Sequence, residues 1–95
     1  MTNVLIVDDE KIEREGLKYL LSREEGERNI FEASNGKQAL QMIRSEDIQL
    51  LLTDIKMPHM DGLELTRRAK EENPALQIII FSGYSDFTFA QEAIR

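Results

Sequence analysis

Three observations predict an α/β fold with a doubly wound parallel sheet. Short, continuous apolar runs rich in branched residues recur along the chain. Helix-length amphipathic stretches separate them. The connections are only a few residues long. Runs of this kind read as strands buried on both faces, and such strands belong to parallel sheets covered by helices. The resulting order, β-α-β-α-β-α-β-α, implies right-handed crossovers within one domain spanning residues 1–95.

The first run is Val4–Val7, ending in Asp8, Asp9 and Glu10. A helix is expected over Glu10–Ser22, with Ile12, Leu17, Leu20 and Leu21 on its apolar stripe and Gly16 at a close-packed point. Asn29–Ala33 alternates more and fits an edge strand. Gly36–Arg44 then places Ala39, Leu40 and Ile43 on one helical face, with Ser34 or Asn35 as the N-cap. Leu50–Leu52 is the third strand, followed by Thr53 and Asp54. Gly62–Glu72 carries Leu63, Thr66 and Ala69 in register, and Asn73-Pro74 stops it. Ile78–Phe81 is the fourth strand, followed by Ser82 and Gly83. A last helix is expected over Asp86–Arg95, with Phe87, Ala90 and Ile94 along one stripe. On this reading the fourth strand is an unprotected edge, open to self-association or strand exchange between chains.

Composition narrows the function classes. Lys and Arg number 12 and Asp and Glu 18, a net charge of −6. So acidic a chain gains nothing from a phosphate backbone, and direct nucleic-acid contact by this segment is not expected. With no cysteine there is no disulfide framework, thiolate zinc site or cysteine nucleophile. No apolar run approaches the ~20 residues that span a bilayer, and the N-terminus lacks a signal pattern. A soluble, cytoplasmic domain is expected, with no membrane partner.

In open parallel sheets, ligands bind beyond the carboxyl ends of the strands, near the switch in strand order. If the first and third strands are neighbours, Asp8, Asp9 and Asp54 converge on one cleft. Carboxylates so placed raise each other's pKa unless a cation neutralises them, and an all-oxygen donor set suits Mg²⁺. A metal-bound carboxylate such as Asp54 can then attack phosphorus. The Ser82 hydroxyl would donate to a phosphoryl oxygen, and Gly83 would keep the approach open. The blander reading of strand-end acids is helix capping, by Asp9 or Glu10 for the first helix.

Asp8-Asp9 after the first strand, the stretch Asp54-Ile55-Lys56-Met57-Pro58-His59-Met60-Asp61-Gly62, and Ser82-Gly83 after Phe81 together resemble the receiver domain of two-component response regulators. The resemblance runs in order along the whole chain. It implies a flavodoxin-like receiver fold in which Asp54 accepts a phosphoryl group from a histidine kinase. Asp9 and Asp54 would bind Mg²⁺ through their side chains, Lys56 through its backbone carbonyl, and Asp8 through water. Ser82 would move towards the phosphoryl group and report it to the fourth helix. Lys56 and Tyr84 occupy positions that in this family influence the lifetime of the phosphoryl group. Asn35-Gly36 and Ser85-Asp86-Phe87 resemble receivers that precede AraC-type DNA-binding domains, which implies a C-terminal, transcriptional output domain. The departure from the family's pattern is at the C-terminus: no fifth strand with its aromatic switch residue and Lys-Pro, and no fifth helix, is present in this sequence. The site would then lack a phosphate-pairing lysine.

Remaining residues take structural readings. His59 is the sole histidine and fits an exposed loop residue better than a ligand. Met57 and Met60 read as loop packing, Pro58 as a rigid link and Asp61 as a helix cap. Lys11, Arg14, Lys18, Arg23 and Arg28 alternate with glutamates as a solvated face; the resemblance implies that part of the first helix docks the kinase. Tyr84, Phe87 and Phe89 suit either core packing or a partner-facing surface. Two other functions compete with a phosphoacceptor. An aspartyl-phosphate phosphatase would need a second Asp where Lys56 stands. A phosphate-independent docking module would have no use for the acidic trio and Ser82.

Overall fold

The computed structural model describes residues 1–82. Seven elements follow one another: β1 (Thr2–Val7), α1 (Lys11–Ser22), β2 (Arg28–Ala33), α2 (Gly36–Ser45), β3 (Leu50–Asp54), α3 (Gly62–Glu72) and β4 (Gln77–Phe81). The helix expected over residues 86–95, with Phe87, Phe89 and the neighbouring Gly83 and Tyr84, lies outside the described residues.

All pairings are parallel and the strand order is β2-β1-β3-β4. The reversal of strand order falls at β1 and β3, so the ligand crevice of such a sheet opens between their carboxyl ends. The register aligns Val7 with Thr53, and Asp54 with Phe81. Asp8 and Asp54 therefore leave the sheet at nearly the same level.

The apolar runs behave as strands buried on both faces. Val4, Leu5, Ile6 and Val7 are all fully buried. Alternation sends Leu5, Val7 and Leu51 to one core with Ala39, Leu40, Ile43, Leu65 and Ala69 of α2 and α3. Val4, Ile6, Leu50 and Leu52 go to the other, with Leu17 and Leu21 of α1. Helices thus cover both faces, the doubly wound arrangement. β2 and β4 are the edges of the sheet formed by the described residues.

Two helical stripes differ from expectation. Ile12 is 79% exposed and Leu63 is 57% exposed. At about 100° per residue, Ile12 lies some 140° round from Leu17, too far to share its face. In α3 the inward positions are Gly62, Leu65 and Ala69, which leaves Leu63 outside. Arg14 corrects the solvated face assigned to α1: its side chain is only 15% exposed. It donates to the Asp8 carbonyl at 2.8 Å and to Glu32 at 3.2 Å. Lys18 joins the same carboxylate at 3.1 Å.

Candidate phosphoacceptor and cation site

Each acid reaches the crevice for a local reason. Asp8 follows the last residue of β1, where the chain turns towards α1. It is fully buried, and its Oδ1 accepts the Glu10 backbone N–H at 2.9 Å. Glu10 takes the N-cap position of α1 without a side-chain cap bond, so it does not supply the cap that the blander reading of these acids offered. Asp54 ends β3 and is half-buried. Carboxylate oxygens of Asp8, Asp54 and Glu13 all lie within 4.8 Å of one another. Asp9 stands exposed beside this group and outside it. Its charge still reaches both Asp8 and Asp54.

Burial and like charge raise both acids of the cluster. Burial, reinforced by the neighbouring Glu13 carboxyl, pushes Asp8 up to about 7, against the pull of the Glu10 N–H. Burial and the Asp8 charge also raise Asp54, partly offset by the backbone N–H groups of Lys56 and Ile55. Asp8 Oδ2 is buried with no hydrogen-bond donor. A buried carboxylate oxygen of this kind normally has a partner. An all-carboxylate donor set around such an oxygen fits a hard divalent ion such as Mg²⁺.

The loop after Asp54 is fastened to the strand end. Ile55 N–H donates to the Phe81 carbonyl at 2.9 Å, and the Gly62 N–H to the Ile55 carbonyl at 2.8 Å. A Cβ on Gly62 would collide with the Asp54 carbonyl oxygen, so only glycine lets α3 begin this close to the acceptor strand. Asp61 caps α3, accepting the Glu64 N–H at 2.8 Å, as its sequence position implied. Met57 is buried in the core, and His59 is exposed with a positive φ of 69°. Lys56 is exposed next to the acceptor, and Ser82 is exposed at the end of β4, one residue past the partner of Asp54. Gly83 and Tyr84 lie outside the described residues.

The structure thus brings Asp8 and Asp54 together, leaves Asp9 at the rim, and adds Glu13. The signal for Glu13 was its place one turn before Leu17, on the inward face of α1. A cleft of about 710 Å³ at the opposite ends of the strands is lined by Thr2, Arg28, Asp47, Gln49, Asn73 and Gln77, among others, and takes no part in this chemistry.

Known proteins resemble this chain in sequence and fold. The chain is 36% identical over 96 residues to the uncharacterized transcriptional regulatory protein YesN of Bacillus subtilis, covering all of this chain and 26% of that protein. It spans well under half the length of the curated relatives it matches first. A two-component transcriptional regulator AraC from Clostridium phytofermentans superposes with a TM-score of 0.77 at 36% identity, over 100% of this chain and 74% of that one. The response regulator TrrA of Thermotoga maritima, solved in complex with Mg(2+)-BeF, gives a TM-score of 0.80 at 36% identity, over 92% and 74% of the two chains. The family model described as the response regulator receiver domain matches residues 4–95. With its parallel sheet, its strand order and the acids at its switch point, the chain belongs to the response regulator receiver domains.

Proposed function

We propose that this domain is the phosphoacceptor of a two-component system, taking a phosphoryl group from a histidine kinase on Asp54. The observation that carries the reading is the Asp54 carboxylate at the switch point, beside a buried Asp8 with an unpartnered oxygen. Asp9 and Asp54 side chains and the Lys56 carbonyl would hold Mg²⁺, with Asp8 acting through water; Glu13 stands against the same set. A cation held there would neutralise the crowded carboxylates and supply positive charge beside the phosphoryl oxygens.

An Asp54 carboxylate oxygen attacks phosphorus, the new O–P bond forms, and the P–N bond to the donor histidine breaks with its electron pair left on nitrogen. The Ser82 hydroxyl, one step beyond the strand partner of Asp54, donates to a phosphoryl oxygen. Lys56 and Tyr84 tune how long the modification lasts, and Gly83 keeps the approach clear. Extra charge on Asp54 then shifts the population of the segment after Ser82, which a C-terminal DNA-binding output domain reads. The relatives' names as transcriptional regulators support that output, and a cytoplasmic setting belongs to the same proposal.

Beryllofluoride imitates a phosphoryl group on a carboxylate and tests the reading. Fluorine NMR should show bound signals when beryllium, fluoride and Mg²⁺ are added to the protein, and none for Asp54→Asn. Absence of bound fluoride in the folded parent would overturn the proposal.

A further inference from the structure

We infer that Arg14 is a positioning residue for this site: its guanidinium clamps the main chain of Asp8 to the end of β2 and so sets where the Asp8 carboxylate stands beside Asp54. The inference rests on the proposed function and adds a residue outside the acidic cluster. Asp8 lies one residue past the end of β1. Its N–H donates to the Ala33 carbonyl of β2 at 3.2 Å. Its carbonyl accepts Arg14 Nη1 at 2.8 Å, while Arg14 Nε donates to Glu32 Oε1 of β2 at 3.2 Å. Both backbone polar groups of Asp8 are thereby held to β2, one directly and one through Arg14.

The clamp has its own support. Arg14 is the fourth residue of α1, and its side chain is only 15% exposed. A guanidinium so placed keeps its charge because its planar fork meets a carboxylate and a carbonyl at once. Lys18 Nζ takes the other Glu32 oxygen at 3.1 Å, so that carboxylate is held from two sides and stays turned to Arg14. Glu32 pairs with Ile6 in the register of β1 and β2, two residues before Asp8. The clamp thus spans α1, the end of β1 and β2. One carboxylate oxygen of Asp8 lies within 4.8 Å of one of Asp54, so a shift of the Asp8 main chain alters the spacing on which a cation depends.

Charge and position make opposite predictions. By charge alone, removing a cation beside a group of acids should tighten the binding of a divalent ion. Loss of the clamp should weaken it. Calorimetric Mg²⁺ titrations should compare the parent with Arg14→Ala, Arg14→Lys and Arg44→Ala, at a temperature where circular dichroism shows which are folded. Arg44→Ala removes an ion pair to Glu72 near the C-terminal ends of α2 and α3, and controls for the general loss of such a bond. Arg14→Ala should bind Mg²⁺ about tenfold more weakly, the effect of losing a group that orients a metal's ligands. Arg14→Lys keeps the charge and the stem, so it should fold. It should still bind more weakly than the parent, because one ammonium cannot span both acceptors as the fork does. Arg44→Ala should match the parent. Unchanged or tighter Mg²⁺ binding in folded Arg14→Ala overturns the inference. If that variant does not fold, parent-like affinity in Arg14→Lys overturns it. An equal loss in Arg44→Ala overturns it too, by assigning the effect to a general loosening of the fold. A parent that binds no Mg²⁺ would instead sink the proposed function itself.

Discussion

Gly62 shows how a single residue fixes the geometry of the acceptor. Its missing side chain lets the start of α3 lie against the Asp54 carbonyl, a fixed backbone atom that cannot step aside. Gly36 is different, because the atom nearest a Cβ there is the Met60 sulfur, at the far end of a flexible side chain. Gly62→Ala should therefore cost about 1–3 kcal/mol of stability, the usual penalty of overpacking, and weaken Mg²⁺ binding by shifting the end of β3. Gly36→Ala should leave Mg²⁺ binding intact. Urea unfolding and a Mg²⁺ titration on the two variants check both expectations; equal behaviour would remove the distinction. Asp54 itself was legible from its place after an apolar strand and before Met57-Pro58. Glu13 was not, because a charge inside an amphipathic helix reads as solvent-facing until the inward stripe is known. Arg14 was hidden likewise among charges that do face water.

At the scale of elements, the helices are fixed at their ends by different devices. Asn35 caps α2 by accepting the Gln38 N–H at 2.8 Å, and Asp61 caps α3 in the same way. The first helix has no such cap and is tied instead through Asp8 Oδ1 and Arg14. Asp61 sits only a few residues from Asp54, so a capping role and a metal role make different predictions. Asp61→Ala should lower stability by about 1 kcal/mol and leave Mg²⁺ affinity unchanged. A large loss of Mg²⁺ affinity in a folded Asp61→Ala protein would contradict the cap. Strand positions were readable because continuous burial leaves continuous apolar runs, as Val4–Val7 shows. The helical stripes were read less well. Ile12 and Leu63 are apolar, yet at about 140° from Leu17 and about 200° from Leu65 each lies on the water side of its helix. Their exposure follows from helical phase, once the buried positions of each helix are known.

For the whole molecule, function and stability pull against each other through the acid cluster. The folded protein raises Asp8 to about 7 from its ordinary 3.8, so it binds that proton more tightly than the unfolded chain does. The resulting stabilisation is complete below the unfolded value and is lost as pH rises towards the folded one. Asp54 is shifted the same way. Glu32 moves oppositely: despite burial, hydrogen bonds from Lys18 and Arg14 hold it below its ordinary 4.5, so its contribution is already present above about pH 5. In chelator, stability measured by urea unfolding should therefore fall as pH rises to about 7 and level off above it. With saturating Mg²⁺, which binds the ionised acids, that fall should be reduced or reversed. A flat profile in chelator would contradict the strained cluster.

The central claim is that Asp54 takes a phosphoryl group in a cation-dependent site, and intact mass tests it most directly. The protein would be incubated with acetyl phosphate and Mg²⁺ beside Asp54→Asn, with circular dichroism confirming that both are folded. The account predicts a single phosphoryl increment in the parent alone, abolished by chelation. A folded parent without the increment, or an equal increment in Asp54→Asn, would contradict it.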